Sequence, residues 1–150
     1  MCAGIQFSID KIKPAELDRY FLPAELEKQR VGDSVQVFFW QHRPFLPIEE
    51  EDQVHLYDWG NREADLKMPK TGWARIETVQ DGRWDYLSPQ VVKIICDKGY
   101  EKKKWFKTPT GLKAIKVKLH NVMRVYLLTT KADQEYLRIT GHDRMPIPFN

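Results

Sequence analysis

Leu112-Lys113-Ala114-Ile115-Lys116-Val117-Lys118-Leu119, followed closely by Val122-Met123-Arg124-Val125-Tyr126-Leu127-Leu128-Thr129, is the stretch whose reading decides the fold. In the first segment apolar residues interleave with lysines, the near-alternation of a strand with one wet face and one buried face. The second is rich in β-branched and aromatic residues and reads as the next strand. Upstream, Tyr100 to Lys107 reads as a strand leading into a turn at Thr108-Pro109-Thr110-Gly111. Val91 to Cys96, Val54 to Trp59 and Ser34 to Trp40 are further strands. Helical signals are short. Asp10 to Val31 predicts one or two helices, opened at Pro14 and Pro23 with Ser8 or Asp10 as a cap, and Trp73 to Gln80 predicts another. Pro44, Pro47 and the acidic run Glu49-Glu50-Glu51-Asp52 read as a loop, and Arg62 to Gly72 as irregular chain. Asp133 to Ile139 fits helix or strand, and the tail His142 to Pro148 is held extended by its prolines. With no regular β-α-β alternation, a Rossmann-type sheet is not expected. The count predicts the α+β class: a mainly antiparallel β-sheet, half-open and barrel-like, with short flanking helices, in one domain over 1–150.

Composition narrows the function classes. No apolar run approaches the ~20 residues of a membrane span, and the mean hydropathy is −0.56. Met1-Cys2-Ala3-Gly4-Ile5 lacks the basic and long apolar regions of a signal peptide, so a cytoplasmic protein is expected. Two cysteines cannot build a disulfide framework, and with four scattered histidines they show no metal-ligand spacing. No metal, cofactor or membrane is therefore expected. The net charge of +3 conceals an asymmetry: residues 1–75 carry 10 basic and 13 acidic side chains, residues 76–150 carry 14 and 8. Eight lysines and one acid, Glu101, lie between Lys98 and Lys118. Such a split hints at a polyanionic partner, and on charge alone a solvated lysine face is the plainer reading.

Three places could carry chemistry. If Met1 is removed, Cys2 presents an α-amine and a thiol on one residue, with ordinary pKa values near ~7.7 and ~8.5. Such a 1,2-aminothiol condenses with an aldehyde to an imine and closes to a thiazolidine ring. Glu101, alone among lysines, could act as a general acid or simply as a charge partner. His142-Asp143-Arg144-Met145-Pro146 joins a potential acid–base group to a guanidinium that can grip phosphate bidentately. Cys96, closing an apolar run, reads as a buried and inert thiol. The five tryptophans are mainly core candidates, and an exposed one could stack on bases.

Met1-Cys2-Ala3-Gly4, Trp59-Gly60, Ala74-Arg75-Ile76-Glu77-Thr78, Gly99-Tyr100-Glu101, Leu127-Leu128-Thr129-Thr130-Lys131-Ala132 and His142-Asp143-Arg144-Met145-Pro146-Ile147 follow a recognisable order. In that order, and over nearly the whole chain, the sequence resembles the SOS-response-associated peptidase (SRAP) family of abasic-site-processing proteins, as a compact and divergent member. The family pattern runs Met-Cys-Gly-Arg, Trp-Gly, Asn-Ala-Arg-x-Glu-Thr, Gly-aromatic-aromatic-Glu-Trp, Thr-Thr-x-Ala and His-x-Arg-Met-Pro. Here Trp73 stands for the Asn, one aromatic is missing before Glu101, and Lys102 replaces the Trp. Ala3 and Gly4 replace Gly and Arg.

The resemblance implies a DNA-damage-response protein that binds single-stranded DNA and covalently traps abasic sites. Cys2 would be the nucleophile, Glu101 would handle protons near its amine, and His142 would help open the deoxyribose to its aldehyde. It also implies autoproteolytic removal of Met1 by the same residues. Arg75 and Arg144 would hold the DNA backbone. Trp73, at the position of the lesion-contacting Asn, and Lys102, Lys103 and Lys104 complete the expected DNA-facing set. The expected partner is lesion-bearing single-stranded DNA, bound by a monomer without metal or cofactor in the cytoplasm, at the nucleoid. The alternative is a non-catalytic single-stranded-DNA-binding protein of the same fold.

Overall fold

Alternating β-branched and aromatic residues build two mainly antiparallel sheets in the computed structural model, which describes residues 2–21 and 23–150. The strands in chain order are β1 (Gly4–Ser8), β2 (Arg30–Val31), β3 (Ser34–Phe38), β4 (Phe45–Glu50), β5 (Gln53–Asp58) and β6 (Trp73–Arg75). They continue with β7 (Gln90–Ile94), β8 (Lys98–Glu101), β9 (Lys104–Lys107), β10 (Leu112–Leu119), β11 (Val122–Lys131) and β12 (Arg144–Pro146). The first sheet has the order β2-β3-β1-β8-β9; the second runs β12-β11-β10-β7-β4-β5, with β6 parallel to β11. Short helices flank them: α1 (Pro14–Asp18), α2 (Pro23–Gln29), α3 (Ile76–Gln80) and α4 (Gln134–Thr140). The architecture is α+β, and the two sheets do not close into a barrel.

The main core lies where the inner faces of the sheets meet. Ile5, Phe7, Val35 and Val37 of the first pack with Phe45, Ile48, Leu56, Ile94, Ala114 and Leu127 of the second. Pro14 and Pro23 do open α1 and α2, as their fixed φ favours. Tyr20 and Phe21, just past α1, pack against Phe45 at centroid distances of 4.7 and 5.2 Å, the first tilted and the second edge-on.

The expectation of one wet face for Leu112 to Leu119 is corrected. Ala114 faces the main core, while Ile115 and Val117 face a second core with Met68, Trp84, Leu87, Tyr126 and Leu128. The irregular chain and the 3-10 turn at Asp85–Leu87 cover the sheet's outer face there, so β10 is buried on both sides. Three further expectations change. Phe45–Glu50 is a strand despite Pro47, because β5 pairs along its full length and β7 along part of the other side. Tyr100 to Lys107 is two strands folded back at Lys102-Lys103, and it lies in a different sheet from β10. Trp73–Arg75 is a short strand before α3, drawn out by parallel pairing with Leu127–Thr129.

The two edges of β11 collect the separated motifs, with Gly60 and β6 along one and β12 along the other. The Gly60 N–H donates to the Val125 carbonyl at 2.7 Å, β6 pairs with Leu127–Thr129, and β12 pairs with Thr129–Lys131. Trp59-Gly60, Ala74-Arg75 and the His-x-Arg-Met-Pro tail are thereby set in sequence along a single strand.

Candidate functional site

Strand pairing seats Cys2. The Ala3 N–H donates to the Tyr100 carbonyl at 2.7 Å and the Phe39 N–H to the Ala3 carbonyl at 3.0 Å, extending the β1 ladder toward the N-terminus. The Cys2 side chain is fully buried and its Sγ donates to the Gly4 carbonyl at 3.0 Å. Gly99 makes the seat: a Cβ there would stand 2.9 Å from Cys2 Sγ and 2.4 Å from the Phe106 ring. Glu101 lies on the same face of β8 as Gly99, two residues on, and is 7% exposed. The shortened Gly99-Tyr100-Glu101 spacing thus keeps the glycine and the carboxylate on one side and turns Tyr100 to the other.

The thiol is held neutral. Burial pushes it up to about 12, backbone hydrogen bonding at Tyr100 and Gly4 offsets only part of this, and Cys96 and Glu101 push the same way as burial. Sequence reasoning missed a neighbour, Tyr136. Asp133 caps α4, accepting from the Tyr136 N–H at 2.7 Å, and the helix buries Tyr136 and Thr140 one turn apart. Burial, then the proximity of Cys2 and Glu101, raises the Tyr136 phenol well above its ordinary value. Cys2, Glu101 and Tyr136 therefore lie within one electrostatic neighbourhood. A helix reading of Asp133 to Ile139, with Tyr136 and Thr140 on its inner face, is the signal that could have found it.

Trp73 is half-buried against this group. Its indole N–H donates to the Cys2 carbonyl at 2.8 Å, and its ring packs on Phe39 at 4.9 Å and Trp59 at 6.3 Å. It braces the backbone of Cys2. Cys96 sits buried as expected, beside Thr108 Oγ1 at 3.3 Å, and burial raises its thiol to about 12.

The tail motif is assembled separately, along β11. Arg144 forks onto Glu77 at 2.9 and 3.1 Å, and its Nη2 also donates to the carbonyl and hydroxyl of Thr129 at 2.9 and 3.2 Å. That arrangement ties β12 to α3. Arg75 is exposed beside it, at the N-terminus of α3 and in register with Thr129. His142 is largely covered, with its side chain 16% exposed. Its Nδ1 accepts from the Arg144 N–H at 3.0 Å, which fixes the ring against its own loop, and Asp143 lies 3.6 Å from the same nitrogen.

The β8–β9 hairpin links the two halves. Lys102 Nζ donates to the Gly141 carbonyl at 3.1 Å, bringing the loop after Glu101 to the loop before His142. Lys102 and Lys103 occupy both central positions of the two-residue turn with φ of +46° and +67°. Those angles favour Asn-Gly, and residues with a Cβ are strained there. Lys103 and Lys104 are exposed. Met1, and with it the expected cleavage, lies outside the described residues. Among the described residues no group of three His, Cys, Asp or Glu side chains could hold a metal ion, and no helix is long and apolar enough to cross a membrane. No protein-family model matches the chain, and no curated protein matches it.

Proposed function

We propose that the protein captures abasic sites in single-stranded DNA through Cys2. The observation that carries this reading is the burial of Cys2 and Glu101 on one face of β8, around the gap left by Gly99. Hydrolysis of the Met1–Cys2 peptide bond consumes one water and frees the Cys2 amine. That amine adds to the C1′ aldehyde of the opened deoxyribose and loses water to give an imine. The thiol then adds across the C=N bond, its proton passing to nitrogen, and a thiazolidine closes. Glu101 takes and returns protons at the amine, Tyr136 holds its proton beside it, and His142 assists opening of the sugar. Until cleavage the nitrogen is an amide and the thiol a neutral, covered group, so the unprocessed chain is latent. Arg75 and the strained Lys102-Lys103 turn supply exposed cations for the DNA backbone, and Arg144 positions β12 for them. The two unclosed sheets are, in this reading, the half-open, barrel-like SRAP scaffold, acting as a monomer on cytoplasmic, nucleoid DNA.

The test is direct. Uracil-containing single-stranded DNA treated with uracil-DNA glycosylase should give a denaturation-resistant band with the protein. The band should vanish in Cys2→Ala and form slowly in Glu101→Gln. A band undiminished in Cys2→Ala overturns the reading. A second reading, lesion-independent single-strand binding without chemistry, is favoured by the complete burial of the Cys2 thiol and the placement of Trp73 on its carbonyl. It is distinguished by binding that falls steeply with salt and shows no preference for an abasic lesion.

A further inference from the structure

The outer face of the first sheet, turned away from Cys2, carries an aromatic group outside both cores. Phe38 and Trp40 stack at 4.6 Å with their planes 17° apart, and Trp40 is 61% exposed. Tyr100 and Trp105 meet Phe38 edge-on at 5.3 and 5.9 Å and each other at 4.9 Å. Register explains the grouping. Gly4 is paired with Phe38 on one side and Tyr100 on the other, and Tyr100 is paired with Trp105, so all four positions face outward together. Gly4 has no side chain to lift the cluster: a Cβ there would stand 2.5 Å from the Phe38 ring. The next paired positions outward on the same face are Lys98 and Lys107, and the paired positions of this face include no acid.

Exposed aromatic rings are expensive to leave in water, and a contiguous patch marks a contact surface. Flat rings beside cations and without anions match one chemistry: unstacked bases on a phosphate backbone. We propose that this face is a platform for single-stranded nucleic acid, on which a base stacks on the open side of Trp40 while Lys98 and Lys107 hold flanking phosphates. A protein partner with an apolar surface would have no use for the paired lysines. The platform lies on the opposite face of the sheet from Cys2 and requires neither a lesion nor the Cys2 chemistry.

The test uses lesion-free strands, so its failure is independent of any failure at Cys2. Tryptophan fluorescence is titrated with (dT)12, with (rU)12 and with inorganic polyphosphate as a base-free polyanion. Saturable quenching by either strand, with polyphosphate binding at least about tenfold more weakly, is expected, and the tighter strand identifies DNA or RNA as the ligand. Trp40→Ala, an exposed side chain whose loss leaves both cores intact, should weaken strand binding about tenfold. The double variant Lys98→Gln/Lys107→Gln should reduce the slope of log K against log salt by about 1.4. Unchanged binding by Trp40→Ala, equal binding of polyphosphate, or no quenching by either strand overturns the proposal.

Discussion

Iodoacetamide should label Cys2 of the unprocessed native protein about a thousandfold more slowly at pH 8 than an ordinary cysteine. The perturbation is folding itself. Burial and the adjoining Glu101 raise the thiol from 9.0 to about 12, and only the thiolate attacks. Each pH unit of that rise removes about nine-tenths of the remaining thiolate. The side chain is also fully covered, so steric exclusion acts in the same direction. Cys96 is raised to about 12 as well, and a Cys96→Ser variant, which keeps a donor for Thr108, isolates the Cys2 signal. The assay is intact-mass spectrometry over a time course, in buffer and in urea. Trp73→Phe, which deletes the 2.8 Å bond to the Cys2 carbonyl, should speed native labelling without reaching the urea rate. Native labelling as fast as in urea refutes the argument that the seat masks the thiol.

Other consequences follow from the same geometry. Folded-state pKa values of about 12 for Cys2 and Cys96 lie above the ordinary 9.0, so their contribution to stability is intact below pH 9 and is lost as pH rises toward 12. The urea midpoint should therefore fall between pH 8 and pH 10.5, and fall less in Cys96→Ser. Arg144→Ala strips a donor from the carbonyl of Thr129, a residue only 1% exposed, which should cost about 2 kcal/mol and lower Tm by roughly 6 °C. Glu77→Gln, at the solvent end of the same pair, should cost far less; equal losses in thermal melts would mean the surface ion pair dominates. Arg144 holds the Glu77 carboxyl below its ordinary value, so that small contribution exists above the ordinary carboxylate pKa and fades as pH drops through the lowered one. Replacing Lys102-Lys103 with Asn-Gly should raise stability by about 1 kcal/mol by relieving two left-handed residues, measured by urea melts, while weakening DNA binding.

Local chemistry made much of the fold legible. Pro14 and Pro23 mark helix starts, Ser34–Phe38 and Val122–Lys131 carry strand composition, and Asp133 is an N-cap whose side chain holds Tyr136 N–H. What escaped depends on partners distant in sequence. Pro47 sits inside a strand because its carbonyl accepts from Ile95 and its neighbours pair with β5 and β7. The Lys102-Lys103 turn has no Gly or Asn to announce it, and Trp73–Arg75 is extended only because β11 lies alongside. In the site, the pairing of β1 with β8 brings Cys2 beside Glu101, although they lie nearly a hundred residues apart in sequence. Tyr136 escaped because its burial follows from helix docking, and the platform of Phe38, Trp40, Tyr100 and Trp105 because it exists only through strand register.

Intact-mass spectrometry of the protein incubated with an abasic single-stranded oligonucleotide tests the central claim most directly. The account predicts one adduct whose mass equals the chain without Met1 plus the oligonucleotide less one water, absent from Cys2→Ala. An adduct that retains Met1, one that persists in Cys2→Ala, or none in a sample shown to begin at Cys2 would contradict it.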